Sequence, residues 1–407
     1  MTTHYMEERI YMIGNFMVLL GGQVFLVFGA LAIPPLIPFF QPELKLTYSE
    51  VGSIMTFMYL GAMLMSVPAG WLTDYMGIKK TIVYAELITG GFVALIGLGW
   101  NYGSIIFFVF LVGIGYGISN PPTTKGIMVL FQQRNRGLAM SLKQTGVPLA
   151  GALAAAVLPL LALFSSWRVS FVAAGIVVSV MGMLSHIIYQ PQLEHSSLPY
   201  GNRQKADWKK IIFNKNVVFL SIAGAFCSLL QVSLFTHTAL YLIDAQKFEL
   251  LQATFTLTLM SLGGIVGRVF WGTVSDRLFK GSRRIVLQII VSIIFGIALI
   301  LGLHIELPSY LLVIIFFLLG TSAIGWNGVF HALIGEISEE ALVGQVTGVT
   351  MIIVFLGGLT GPFLYGKIVD TCKSHDEAWL FLSAAMVAAF FFYSKLRDHQ
   401  VIFKKGA

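Results

Sequence analysis

The sequence predicts an all-α integral membrane protein whose twelve transmembrane helices fall into two halves of six. Three observations predict it. First, 57% of the 407 residues are hydrophobic and only 11% are charged, with a mean hydropathy of +0.82, whereas a soluble domain carries about 25% charged residues. Second, the apolar residues come in runs near the roughly 20 residues needed to cross the hydrocarbon core. Third, the charged stretch Gly70-Trp71-Leu72-Thr73-Asp74-Tyr75-Met76-Gly77-Ile78-Lys79-Lys80 returns in part as Gly272-Thr273-Val274-Ser275-Asp276-Arg277, with Asp276 following Asp74 by 202 residues, about half the chain.

Taken in order, the runs lie near 15–40, 49–73, 80–99, 104–131, 137–163 and 167–189. The first is too long for a signal-peptide core and lacks a small-residue cleavage site, so it is read as a retained helix. A polar stretch holding Pro191, Pro199 and Gly201 follows and reads as a linker. The second half resumes at 216–243, 250–274, 285–304, 308–334, 343–371 and 378–395. The expected organisation is thus 1–189, a cytoplasmic linker 190–215, and 216–407.

Twelve spans with the amino terminus inside place eighteen Lys and Arg residues on the inner side and five on the outer, with Lys125, Lys143 and Arg268 within the membrane. That asymmetry puts both termini in the cytoplasm of a multi-pass protein of the cell membrane. Because the basic residues sit in short loops between apolar runs, the net charge of +7 is spent on orientation, and nucleic acid is not an expected partner. The acidic group Glu336, Glu339 and Glu340 falls on the inner side too; it either pairs with a basic loop or is solvated, and solvation is the favoured reading. Cys227 and Cys372 stand far apart in apolar surroundings and predict neither disulfide nor metal site.

The charged stretch makes chemical sense as a tight turn. Its glycines Gly70, Gly77 and Gly272 permit turning and close helix approach, Asp74 can accept from helix amino-terminal amides, and Lys79, Lys80 and Arg277 suit the cytoplasmic headgroups. With twelve spans in two halves, the two copies of this motif resemble those of the major facilitator superfamily over nearly the whole chain. The first copy departs from that pattern at Tyr75 and Ile78. The strings Lys143-Gln144-Thr145-Gly146-Val147-Pro148 and Gly325-Trp326-Asn327-Gly328-Val329-Phe330 look like those of bacterial organic-anion carriers of the superfamily. Drug/proton antiporters typically have a Gly-Pro pair in the fifth span and an Arg in the fourth, and neither is present. The resemblance implies alternating access, with the halves rocking about a central site.

Ionisable groups within hydrocarbon are costly and so are functional candidates: Glu86, Lys125, Lys143, His237, Arg268 and His331. Arg268 precedes Asp276 by eight residues, about 12 Å along a helix, too deep for easy reach to the surface. Its place before Gly272 is similar to that of the anion-binding Arg of monocarboxylate transporters, whose acidic neighbour one turn earlier is Gly264 here. Lys143 reads equally as a ligand or as a snorkelling side chain. Lys125 follows Asn120-Pro121-Pro122-Thr123-Thr124, where the prolines are expected to interrupt the helix; it is either a ligand or a lysine that snorkels or binds the freed carbonyls. Glu86 is expected to pair with Lys80 near the headgroups, with proton coupling as its alternative. His237 can titrate near neutral pH, and with His331 completes the proton candidates, although a structural role is favoured for both. Gln23, Tyr59, Tyr116, Asn120, Gln144, Gln231, Tyr241, Trp326 and Asn327 are uncharged cavity candidates, and glycines near 113–117, 146–151 and 357–361 are expected to serve close packing.

These residues predict a monomeric secondary transporter of a small organic anion, with proton symport and exchange both open and no cofactor. Arg268, Lys143 and Lys125, assisted by Asn120, Gln144, Asn327 and Tyr241, are the expected contacts. A drug or cationic-metabolite exporter is the alternative, and it wants a carboxylate in the cavity. No metal set or nucleophile–base pair supports an enzyme.

Overall fold

The computed structural model describes residues 2–131, 133–191, 211–305, 307–338 and 342–396, with the backbone alone for 2–10, 133–138 and 141. The expected linker and the acidic pair Glu339 and Glu340 lie largely or wholly outside the described residues. Among these, the regular elements are α-helices: α1 Thr2–Ala30, α2 Ile33–Leu44, α3 Tyr48–Ser66, α4 Pro68–Ile96, α5 Tyr102–Leu130, α6 Gln133–Phe164 and α7 Trp167–Ile188. Then come α8 Lys215–Asp244, α9 Leu250–Arg277, α10 Arg283–Gly302, α11 Ser309–Ala323, α12 Trp326–Ile337, α13 Val343–Cys372 and α14 Asp376–Ser394. The boundaries follow capping chemistry: Asn101 and Ser104 form a reciprocal capping box at α5, and the Ser166 and Asn214 side chains accept from the first amides of α7 and α8.

Ten segments are long and apolar enough to cross a bilayer, α1–α2 and α11–α12 each counting as one. The bent pair α3–α4, 64° apart, passes the same test as one further span, and α4 is itself broken at Gly77. Division of the pair at that break, into 48–76 and 78–96, matches the twelve spans expected. It also corrects the reading of the motif as a loop. Residues 68–76 are helical, and the turn is concentrated at Gly77, whose φ of 81° and ψ of 164° suit a residue without a Cβ. In the second copy, 272–277 closes α9 and positive φ falls later, at Lys280 (49°) and Gly281 (83°). At Gly70 and Gly272 an added Cβ would meet nothing, so these two do not serve close helix approach.

The prolines bring a second correction. α5 runs unbroken through Pro121 and Pro122, and hydroxyls bond back onto carbonyls of the neighbouring turns: Ser119 Oγ to Tyr116 O at 2.8 Å, and Thr123 Oγ1 to Ser119 O at 2.9 Å and Asn120 O at 3.0 Å.

The chain forms two compact units, Met1–Phe40 with Phe57–Asn202, and Gln41–Thr56 with Arg203–Ala407. In the first, α4 packs on α5 and α7, and α1 on α5, α6 and α7; a Cβ on Gly61 would strike Phe110 O, and one on Gly113 would strike Met58 O. In the second, α9 packs on α11 and α8 on α13, and the same interlock recurs: Gly263 against Phe317 O, Gly320 against Met260 O. Small residues let backbones meet where lipid offers no hydrophobic drive to associate. The amino-terminal end of α3 belongs to the second unit, where Asp370 of α13 accepts from Tyr48 N (3.0 Å), Ser49 N (2.7 Å) and the Ser49 hydroxyl.

Candidate functional site

In the first unit, segment 119–124 of α5 presents two adjacent stripes, since residues four apart share a helix face. One stripe, Asn120 and Thr124, holds Lys143 of α6. The ammonium donates to Asn120 Oδ1 at 2.6 Å, Thr124 Oγ1 at 2.9 Å and Asn120 O at 3.4 Å. Lys143 is 1% exposed, while Asn120 in front of it is exposed. No carboxylate pairs with it among the described residues, so a buried cation is held by neutral oxygens alone.

The other stripe, Ser119 and Thr123, is buried and faces α1 and α4. Thr123 donates to Gln23 Oε1 at 3.3 Å. With Gly22, Leu26, Ile82, Ala85 and Glu86 these residues line a closely packed space too tight to hold a water molecule. Glu86 is fully buried and accepts from Ser185 Oγ of α7 at 3.1 Å; its Oε2 has no hydrogen-bond partner. The expected pairing with Lys80 is therefore corrected. Six residues place Lys80 about 120° round the helix from Glu86 at 3.6 residues per turn, and Lys80 is exposed.

Lys125 is not gathered to Lys143. Its ammonium meets Asp74 Oδ1 at 2.9 Å, so α5 is tied to the motif segment of α4. Asp74 thus takes an ammonium, and in the second unit Asp370 is seated on the amino terminus of α3. Lys79 is half-buried and Lys80 exposed just beyond Gly77. In the second unit Asp276 meets Arg283 at 2.6 Å, and Arg283 meets Glu336 at 3.0 Å. Glu336 is thus paired rather than merely solvated, because α12 ends beside the start of α10. Arg277 is exposed at the end of α9.

The remaining candidates divide into two groups in the second unit. Gln231 Oε1 accepts from Trp326 Nε1 at 2.8 Å and Asn327 Nδ2 at 3.0 Å. Half-buried Arg268 lies across from this group, its carbonyl 3.7 Å from where a Cβ on Gly328 would stand. Tyr241 is elsewhere: ten residues beyond Gln231, about 15 Å along α8, it accepts from Gln246 at 2.9 Å and packs against Phe316, His375 and Trp379. Beside it, His237 donates Nε2–H to Pro362 O at 2.9 Å and stacks on Tyr365 at 4.6 Å. His331 is half-buried on α12, edge-on to Phe330. Half-buried Gln144 follows Lys143.

Several residues here escaped the sequence reading. Ser185, Tyr48 and Tyr365 are uncharged or hydroxylated side chains with no pattern to mark them. Asp244, Asp370 and His375 sit at span ends, where ionisable residues are ordinary. His375, in the turn between α13 and α14, is buried and shares a hydrogen bond with Tyr365 at 3.1 Å; desolvation pushes its pKa down to about 4 despite the opposing pull of Asp244 and Asp376.

With this geometry in place, comparison with known proteins is informative. The family model for the Major Facilitator Superfamily matches residues 19–362. The hexuronate transporter of Bacillus subtilis (strain 168) is 25% identical over 374 residues, covering 86% of each chain. The probable galactarate/D-glucarate transporter GarP of Escherichia coli (strain K12) is 23% identical over 391 residues, again covering 86% of each. A solved bacterial homolog of the human lysosomal transporter Spinster superposes with a TM-score of 0.76 at 14% identity, covering 94% of this chain and 96% of that one, a likeness of fold. The chain is thus a multi-pass membrane transporter, not an enzyme, and belongs to the Major Facilitator Superfamily.

Proposed function

We propose that the chain carries a small organic anion of the carboxylate type across the cytoplasmic membrane by alternating access, with both termini inside. The observation that carries this reading is Lys143. A buried charge is costly unless paired, and here the ammonium has three neutral oxygens and, among the described residues, no carboxylate, and it bonds exposed Asn120. A substrate carboxylate supplies the missing charge. In the second unit Arg268, whose backbone carbonyl lies against Gly328, offers a cation whose planar fork suits a carboxylate or a polyhydroxylated acid. The relatives named for hexuronate and for galactarate/D-glucarate support a sugar acid as the substrate class.

The test is uptake into proteoliposomes of labelled glucuronate, glucarate, glucose and a quaternary amine. Saturable uptake of the acids, with glucose and amine excluded, is the expected result. Transport of the amine with no acid uptake would reverse the assignment in favour of a cationic-metabolite carrier. For orientation, a cysteine placed at Lys247 should react with an impermeant reagent in intact cells, and one at Lys205 only after permeabilisation.

A further inference from the structure

We propose that Glu86 is the proton-binding group of this transporter, alternately loaded and emptied as the first unit changes conformation, and coupled to the anion through segment 119–124 of α5. This rests on the organic-anion reading and names its coupling ion. The carboxyl is enclosed on every side. From α1 it faces Gly22, Gln23 and Leu26; from α5, Ser119 and Thr123; from α7, Gly182 and Ser185; from α4 itself, Ile82 and Ala85. None of these is ionisable. The nearest charges in sequence are Lys80, exposed and about 120° round the helix, and Lys79, which shares the face of Glu86 but stands two turns, about 10 Å, away. An ionised carboxylate with one oxygen unsatisfied and no water-sized space beside it is among the costliest groups to bury. A proton removes that cost, so in this conformation Glu86 is held as the acid.

Exposing the carboxyl means moving α1 or α7. Gly22 and Gly182 allow α1 and α7 to close directly on Glu86: a Cβ on Gly22 would overlap Oε1, and one on Gly182 would stand 3.1 Å from the glutamate Cβ. Withdrawal of α1 admits water, the carboxyl O–H breaks, its proton passes to that water, and the carboxylate is left solvated. The link to the anion is physical contact. Asn120 and Thr124 hold Lys143, while Ser119 and Thr123 of the same turn form a wall of the Glu86 space, and Thr123 also holds Gln23 of α1. A carboxylate that draws Lys143 from Asn120 therefore pulls on the wall that keeps Glu86 dry.

The experiment compares wild type with Glu86→Gln, which keeps the volume and the bond to Ser185, and with Ser185→Ala in case the first fails to fold. Infrared spectra of purified protein in lipid should show a protonated-carboxyl band near neutral pH that Glu86→Gln removes and whose pH midpoint Ser185→Ala moves. In proteoliposomes, wild type should accumulate the anion about tenfold per unit of inward proton gradient, with matching proton flux. Glu86→Gln should lose both while keeping anion exchange at zero gradient. Absence of the band, or unchanged proton-driven accumulation and proton flux in Glu86→Gln, overturns the proposal. If wild type moves no organic acid at all, the anion reading fails, and the infrared band still decides whether Glu86 binds a proton.

Discussion

Replacing Lys143 by Gln is the most direct probe of the anion site. Glutamine's amide can still donate to Asn120 Oδ1 and Thr124 Oγ1, now at 2.6 and 2.9 Å from the ammonium, but it brings no charge. Losing a charge-assisted bond to a carboxylate in a desolvated site costs about 1.5–3 kcal/mol, which is roughly tenfold to a hundredfold in affinity. Folding should suffer little, because the variant also removes a 1% exposed cation that no carboxylate pairs with. Lys143→Arg should behave differently: the larger head is forced into filled space, and overpacking costs about 1–3 kcal/mol. The assay is titration calorimetry of the transported acid and of its neutral amide, with thermal melting of each variant in the same detergent. The expected pattern is a large loss for the acid, none for the amide, and a nearly unchanged melting temperature for Lys143→Gln. Equal acid affinity in wild type and Lys143→Gln would show that Lys143 is a structural lysine bound to α5, and the anion reading would lose its main support.

Arg268→Lys should weaken acid binding about tenfold despite the retained charge, since an ammonium cannot reproduce two parallel hydrogen bonds; unchanged calorimetric affinity would make Arg268 structural. Asp74→Asn breaks a pair whose side chains are 28% and 36% exposed, worth only about 0.2–1 kcal/mol of stability. Transport should nevertheless fall severalfold with binding preserved, and loss of binding in a folded variant would refute a role confined to the conformational cycle. His375 binds its proton in the unfolded chain below about pH 6.5 but in the folded protein only near pH 4. The unfolded state therefore holds more protons between these values, and stability should rise with pH across that window and be lost as pH falls through it. The melting temperature should follow, and His375→Gln should flatten the profile; an unchanged profile would mean the imidazole is not buried as described.

Much of the architecture follows from local chemistry. Apolar runs of bilayer length, the positive bias on one side of them and the 202-residue recurrence of the Asp-containing motif determine twelve spans in two related halves without knowledge of any contact. Which intramembrane residues carry charge is equally plain, because each one costs free energy in hydrocarbon. Lys143 and Glu86 are candidates on that ground alone. What each touches was not legible. Helical periodicity fixes which residues share a face, but not which face of another helix meets it, and that depends on glycine contacts such as Gly61 on Phe110 and Gly263 on Phe317. So Lys125 went to Asp74, 51 residues away, rather than to a substrate site with Lys143; Glu86 went to Ser185, 99 residues on, rather than to Lys80; and Asp370 reached Tyr48 across 322 residues. Pro121 and Pro122, read as helix breakers, lie inside an intact α5. The sequence alone therefore determines the solvent, the spans and the costly residues. Tertiary packing decides which of those residues are satisfied within the protein and which still lack a partner charge.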